Sequence, residues 1–200
     1  MATVPASLRQ EVTAELSYGR RGRAVSGTGV RLLGPADAVA YRALRLDALQ
    51  RHPSAFCTSF DEEADQSLAE FAARLEAYAI FGGFCDGALC GLAGLEIPQA
   101  RNKRHKGVLF GVYVCPDRRR AGLGTGLVSA VIERARTRVE QLHAAVVVSA
   151  DPARALYRKL GFLPYGLEPR ALRVGDRYFD QELLVLPLDG QAAPDRPTDR

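Results

Sequence analysis

No apolar run in the chain reaches the roughly 18 residues that a membrane-crossing helix needs. Residues 1–23 also lack the uninterrupted apolar core of a secretory signal. A cytoplasmic protein without a membrane partner is therefore expected. Cysteine is sparse: Cys57, Cys85, Cys90 and Cys115 form no C-x-x-C pair and have no histidines at zinc spacing. Reduced, buried thiols are expected, and no metal. His52, His105 and His143 are scattered and make no triad-like constellation. Basic residues exceed acidic ones by 27 to 23, and seven of the 27 fall in two clusters, at 101–106 and 118–120. No nucleic-acid motif accompanies either cluster, so the first reads as a solvated turn and nucleic acid is not an expected partner.

What is present belongs to an ordinary globular protein. The 200 residues are 47% hydrophobic and 25% charged, which fits one domain with a sizeable core. A domain over 29–190 is expected, with a flexible extension over 1–28, in which 7–16 could form a short helix, and a disordered tail over 191–200. Monomer and homodimer both remain open. Strands are expected at 30–33, 80–85, 88–97, 106–114, 144–149, 162–168, 171–174 and 178–188. Helices are expected from Asp37, with Val39, Ala43, Leu46 and Leu49 inward, and over 67–77, where Ser67 and Glu70 fit a capping box. Pro152 starts a further helix that Gly161 ends. Residues 54–64 read as a loop with Phe56 and Phe60 beside Asp61, Glu62 and Glu63. The order predicts a mixed α/β sheet with helices on both faces.

The chemistry concentrates in one stretch. Val108-Leu-Phe-Gly-Val-Tyr-Val114 is rich in β-branched and aromatic residues, a buried strand that Pro116 and Asp117 stop. Arg119-x-x-Gly122-x-Gly124 comes next, and Leu123, Leu127, Val128, Val131, Ile132, Ala135 and Val139 recur at helical spacing. A helix thus begins inside a glycine loop, where unpaired first-turn N–H groups and the helix dipole favour an anion. Two better-known phosphate loops are excluded. A Walker A loop needs Lys and Ser/Thr where Thr125 and Gly126 stand, and a dinucleotide fingerprint needs glycine at Leu127.

The run Val112-x-Val114-x-Pro116-x-x-Arg119-Arg120-x-Gly122-x-Gly124-x-x-Leu127 resembles the acetyl-CoA motif of the GNAT superfamily of acetyltransferases. Ala153-x-x-Leu156-Tyr157-x-Lys159-x-Gly161-Phe162 resembles the same family's second motif, except that Ala150 stands where the family has Asn. The resemblance implies a mostly antiparallel sheet of about seven strands and transfer of acetyl from acetyl-CoA to a primary amine. It implies a coenzyme site at Val112, Tyr113, Val114, Arg119, Arg120, Ala121, Gly122, Leu123, Gly124 and Thr125. It places an oxyanion donor at the Val114 N–H and a general acid for the leaving thiolate at Tyr157.

An amine must be neutral to attack a thioester, so a base or a desolvating pocket is also needed. The strand 108–114 has no acid. Glu96, Asp61, Glu62, Glu63 and Asp180 are the candidates, beside a water chain. The acceptor pocket is expected between Phe56, Phe60, Asp61 and Glu62 on one side and the hairpin over 170–179 on the other, with Tyr113 facing it. A non-catalytic acyl-CoA-sensing module is the alternative.

Overall fold

The computed structural model describes residues 28–190. The tail over 191–200, the extension over 1–28 save its last residue, and the helix expected at 7–16 lie outside the described residues. The elements in order are β1 (Thr28–Leu32), α1 (Ala38–Arg51), α2 (Phe60–Ala64), α3 (Leu68–Ala77), β2 (Ala79–Cys85), β3 (Ala88–Glu96), β4 (Lys106–Val114), α4 (Leu123–Arg136), β5 (Gln141–Val147), α5 (Asp151–Lys159), β6 (Leu163–Val174) and β7 (Arg177–Pro187). The strands form one sheet in the order β1-β2-β3-β4-β5-β7-β6. Every neighbouring pair is antiparallel except β4 and β5, which are joined through α4 and run parallel.

Each face of the sheet carries its own core. Leu123, Leu127, Val128, Val131 and Ile132 of α4 pack with Tyr157, Leu109, Leu142, Ala144 and Leu184 on one face. Tyr41, Leu44 and Leu49 of α1 pack with Phe71 and Leu75 of α3 and with Ile80, Leu92 and Tyr113 on the other. Side chains alternate faces along a strand, so Leu109 and Tyr113 would normally share a side. They do not, because β4 carries an extra residue where its register against β3 shifts between Leu92 and Gly94. Gly111 adopts φ +62 there, a bulge conformation that glycine takes without Cβ strain. The bulge turns Val112 and Val114 to the α4 face and Tyr113 to the α1 face.

Five local expectations are corrected. Cys85 and Cys90 are buried as expected and Cys115 is half-buried, but Cys57 is exposed, because it lies in the connection between the turn over Pro53–Ala55 and α2. Val39 is 46% exposed, whereas Ala43, Leu46 and Leu49 are inward as expected. Helix α1 is covered by α3 as well as by the sheet, and the edge-on Tyr41–Phe71 pair, 5.7 Å apart, marks a buried arc that leaves Val39 outside it. The loop over 54–64 contains α2, started by a Ser59–Glu62 capping box. Strand β5 begins at Gln141, because its first residues pair with both β4 and β7. The two strands expected at 162–168 and 171–174 are one, β6. Its interruption is a bulge at which Arg170 takes φ 54 and its N–H donates to Asp180 Oδ1 at 2.7 Å.

Candidate active site

Strands β4 and β5 pair only at Lys106–Gln141, Gly107–Leu142 and Val108–His143. Beyond these three pairs β4 continues along β3 to Val114, and β5 continues along β7 to Val147. The sheet therefore splits, and the open edge of β4 between Leu109 and Val114 faces a cleft. The Cys115 N–H donates to the Cys90 carbonyl at 2.8 Å. In an antiparallel pair such bonded positions alternate with non-bonded ones. The Val114 position opposite Gly91 is thus a non-bonded one, and its N–H and C=O turn toward the cleft.

Helix α4 begins at the mouth of this cleft. Its N-cap is Gly122 at φ +81, with no side-chain cap and no acid in the first turn. The first-turn N–H groups have no side-chain partner and point into the open loop. A Cβ built on Gly124 would lie 3.7 Å from Val114 Cγ2 and 3.5 Å from Leu156 Cδ2. The glycine leaves a bare backbone groove where β4, α4 and α5 converge, which suits a ligand that presents phosphates to N–H groups. Leu123, in contrast, is 4% exposed and anchors the loop to the core, so only its backbone faces the groove. Arg120 (φ 65) and Ala121 are exposed, and Thr125 is half-buried. Among the described residues the Arg120 side chain makes no ion pair.

The Arg119 guanidinium does something the motif alone does not reveal. Its Nε donates to the Val114 carbonyl at 3.0 Å, and its Nη2 lies 3.0 Å from His52 Nε2. His52 is the C-cap of α1, so Arg119 spans from the glycine loop to the α1 side of the sheet. The His52 ring lies 5.9 Å from that of Tyr113. The Tyr113 hydroxyl donates to Asp47 Oδ2 at 3.0 Å, and Asp47 also pairs with Arg51 at 2.6 Å. Burial, and then the Asp47 carboxylate, push the Tyr113 phenol well above its ordinary value. Next to it Cys115 is pushed up to about 12, by burial first and then by Cys90 and Asp47. It is a thiol, not a thiolate.

Tyr157 stands on α5 next to Leu156 and is 5% exposed, its ring 5.5 Å from Phe162. Burial alone drives its phenol far above the ordinary value, so it stays protonated. The structure brings Val112, Val114, Gly122, Gly124 and Tyr157 to one face of the sheet. Tyr113 lies on the other.

On that second face the turn over Pro53–Ala55 crosses the split and packs against β5 and β6. Phe56 is buried beneath the Arg45 guanidinium, 4.7 Å from its ring, and Phe60 is partly buried in the same cluster. Asp61 and Glu62 are exposed, and the Glu62 carboxylate caps the N-terminus of α2 through the Ser59 N–H. Glu63, a candidate base by sequence, is 2% exposed and fully engaged. Arg45 Nη2 and Thr58 Oγ1 donate to Glu63 Oε1 at 2.8 and 2.7 Å, and Arg74 Nη1 donates to Oε2 at 2.7 Å. Burial raises this carboxyl, but Arg45, Thr58 and Arg74 outweigh it and hold it at about 2. It is a structural anion. Sequence reasoning misses Asp47 and His52, which lie in or beside α1, far along the chain from the glycine loop. Among the described residues no group of three or more His, Cys, Asp and Glu is placed to hold a metal ion.

A split parallel pair with an uncapped helix N-terminus at its mouth makes a site that holds an anionic ligand against a free strand edge. Residues 44–162 match the acetyltransferase (GNAT) family. The L-amino acid N-acyltransferase MnaT of Escherichia coli is 30% identical over 135 residues, 66% of this chain and 78% of that protein. An L-methionine sulfoximine/L-methionine sulfone acetyltransferase of Salmonella typhimurium is 28% identical over 168 residues, 83% of this chain and 98% of that one. The structure of yncA from Salmonella typhimurium, with its cofactor acetyl-CoA, is 26% identical with a TM-score of 0.70, covering 85% of this chain and 99% of that chain. A GNAT-family acetyltransferase from Streptococcus pneumoniae shares the fold, with a TM-score of 0.72 at 22% identity, covering 81% of this chain and 99% of that chain. The chain belongs to the GNAT family. It is an N-acetyltransferase that uses acetyl-CoA, and the non-catalytic sensing alternative is not favoured.

Proposed function

We propose that the acceptor is the α-amine of a free L-amino acid or a close analogue, acetylated by direct attack in a ternary complex. The observation that carries this reading is the split between β4 and β5 beyond Val108–His143, which leaves the edge of β4 from Leu109 to Val114 without a strand partner, so that coenzyme and amine can meet along one strand. The names of the two relatives, both acting on amino acids or their analogues, supply the substrate class. The first-turn N–H groups of α4, with Gly122, Gly124 and Arg120, hold the pyrophosphate. The Val114 N–H, turned into the cleft, donates to the oxyanion that develops on the thioester carbonyl. Tyr157 gives its proton to the departing thiolate. The amine enters from the face of Tyr113, below the turn over Pro53–Ala55.

The protein acts in the cytoplasm, as monomer or homodimer, without nucleic acid or membrane as partner. No helix among the described residues is long and apolar enough to cross a membrane. The test is to titrate the protein with acetyl-CoA and then follow free thiol with L-amino acids, methionine sulfone, polyamines and short peptides. Turnover confined to polyamines or peptides would overturn the amino-acid reading.

A further inference from the structure

His52 is used by no motif of the family resemblance, yet it sits where the two faces of the site join. It ends α1 and leads into the turn that crosses the split, and its Nε2 lies 3.0 Å from Arg119 Nη2. Arg119 at the same time donates to the carbonyl of Val114, the last residue of β4. We propose that His52 is a positioning residue that, by accepting a hydrogen bond from Arg119, locks the end of β4 and the glycine loop in the arrangement that receives acetyl-CoA.

The direction of the bond is set by donor chemistry. A guanidinium has donors only, so the imidazole nitrogen facing it must carry a lone pair. The ring is then neutral, with its proton on Nδ1. Four groups face this ring: Arg119 from the glycine loop, Tyr113 from β4, and Asp47 and Arg51 from α1. Burial, and then the charges of Arg119 and Arg51, lower its pKa, and Asp47 opposes them. Near neutral pH the tether is intact. At more acid pH the ring becomes imidazolium, which cannot accept and which repels Arg119. The Val114 carbonyl then loses its partner and the loop loses its link to α1. Coenzyme binding becomes pH-dependent through the link from His52 to Arg119 and Val114.

The proposal rests on the acetyl-CoA site described above but not on the identity of the acceptor. Its test is therefore acetyl-CoA affinity, measured by calorimetry on the full chain without any amine, between about pH 5 and 8. Wild type is expected to bind about tenfold more weakly at the acid end, the scale of one lost charge-assisted hydrogen bond. Part of any such slope belongs to the coenzyme's own phosphate, which titrates near about 6. The decisive comparison is His52→Gln, whose amide oxygen accepts from Arg119 at every pH and should flatten the slope. His52→Ala should weaken binding about tenfold at pH 8, and Arg119→Ala should add little to that loss in the double variant. A His52→Gln protein with the wild-type slope, or a folded His52→Ala protein with wild-type affinity, overturns the tether. If binding shows this pattern while no amine is acetylated, the tether stands and the acceptor reading falls.

Discussion

Tyr157 and Glu63 are both buried and both shifted, in opposite directions and with opposite meanings. Tyr157 is kept protonated by burial alone, the state in which a phenol can give a proton to a leaving thiolate. A missing general acid costs about 10²–10⁴ in rate, and a thiol of pKa near 8.5 already leaves tolerably, so the low end applies. Tyr157→Phe keeps the ring contact with Phe162 and should lower kcat by roughly 10–100-fold with KM for acetyl-CoA nearly constant, as for an interaction made only in the transition state. A kcat within twofold of wild type, under conditions where chemistry limits the rate, would make Tyr157 a packing residue. Glu63 is instead held ionised at about 2, against an ordinary 4.5, by two arginines and a threonine. A carboxylate depressed on folding adds stability above its unfolded pKa, and that stability is lost as pH falls from about 4.5 toward 2. The shift corresponds to roughly 3 kcal/mol. Glu63→Gln should destabilise by a similar amount at neutral pH, because Arg45 and Arg74 lose their shared counter-charge. It should also flatten acid unfolding in that window, measured by urea titration at stepped pH.

At the scale of elements, the glycine loop and α4 are legible because strand, Pro116, the glycine spacing and the apolar repeat of 123–135 all agree. Gly124 is the position at which the loop's role can be tested. A Cβ there meets only ordinary contacts within the protein, so Gly124→Val should fold with a thermal midpoint near wild type. The valine fills the groove between Val114 and Leu156, and acetyl-CoA affinity should drop by at least tenfold in calorimetry; a folded variant with unchanged affinity would remove the loop from the coenzyme site. Other elements are not legible, for identifiable reasons. Ser59 to Glu62 carries the same capping signature as Ser67 to Glu70, but α2 is too short to show helical periodicity. The Gly111 bulge leaves no pattern in a run of apolar residues, so which face Tyr113 takes is decided by one glycine dihedral. Asp47 and His52 carry no local signature. Their place opposite Tyr113 and Arg119 is set by how α1 packs on the sheet.

At the scale of the molecule, the sheet consists of two antiparallel sets, β1 to β4 and β5 to β7 with β6, held to each other by the short β4–β5 pairing. Backbone groups from Leu109 to Val114 that face the split lack strand partners. In hydrogen exchange the Val112 and Val114 amides should therefore exchange faster than amides within the β2–β3 pair. Saturating acetyl-CoA should slow Val114 more than any amide of β2, and equal protection across the sheet would mean the coenzyme lies elsewhere.

The short parallel pairing also bears on how the chain folds. Both antiparallel sets grow largely from hairpin neighbours, whereas β5 reaches β4 only after the α4 crossover has closed, at the cost of loop entropy that non-local contacts repay late. The slow step is then expected to be the docking of β5 on β4, in which Leu142, fully buried opposite Gly107, takes part. Leu142→Ala should act mainly by slowing refolding, whereas Leu75→Ala on α3 should act mainly by speeding unfolding, a split that stopped-flow denaturant jumps resolve directly.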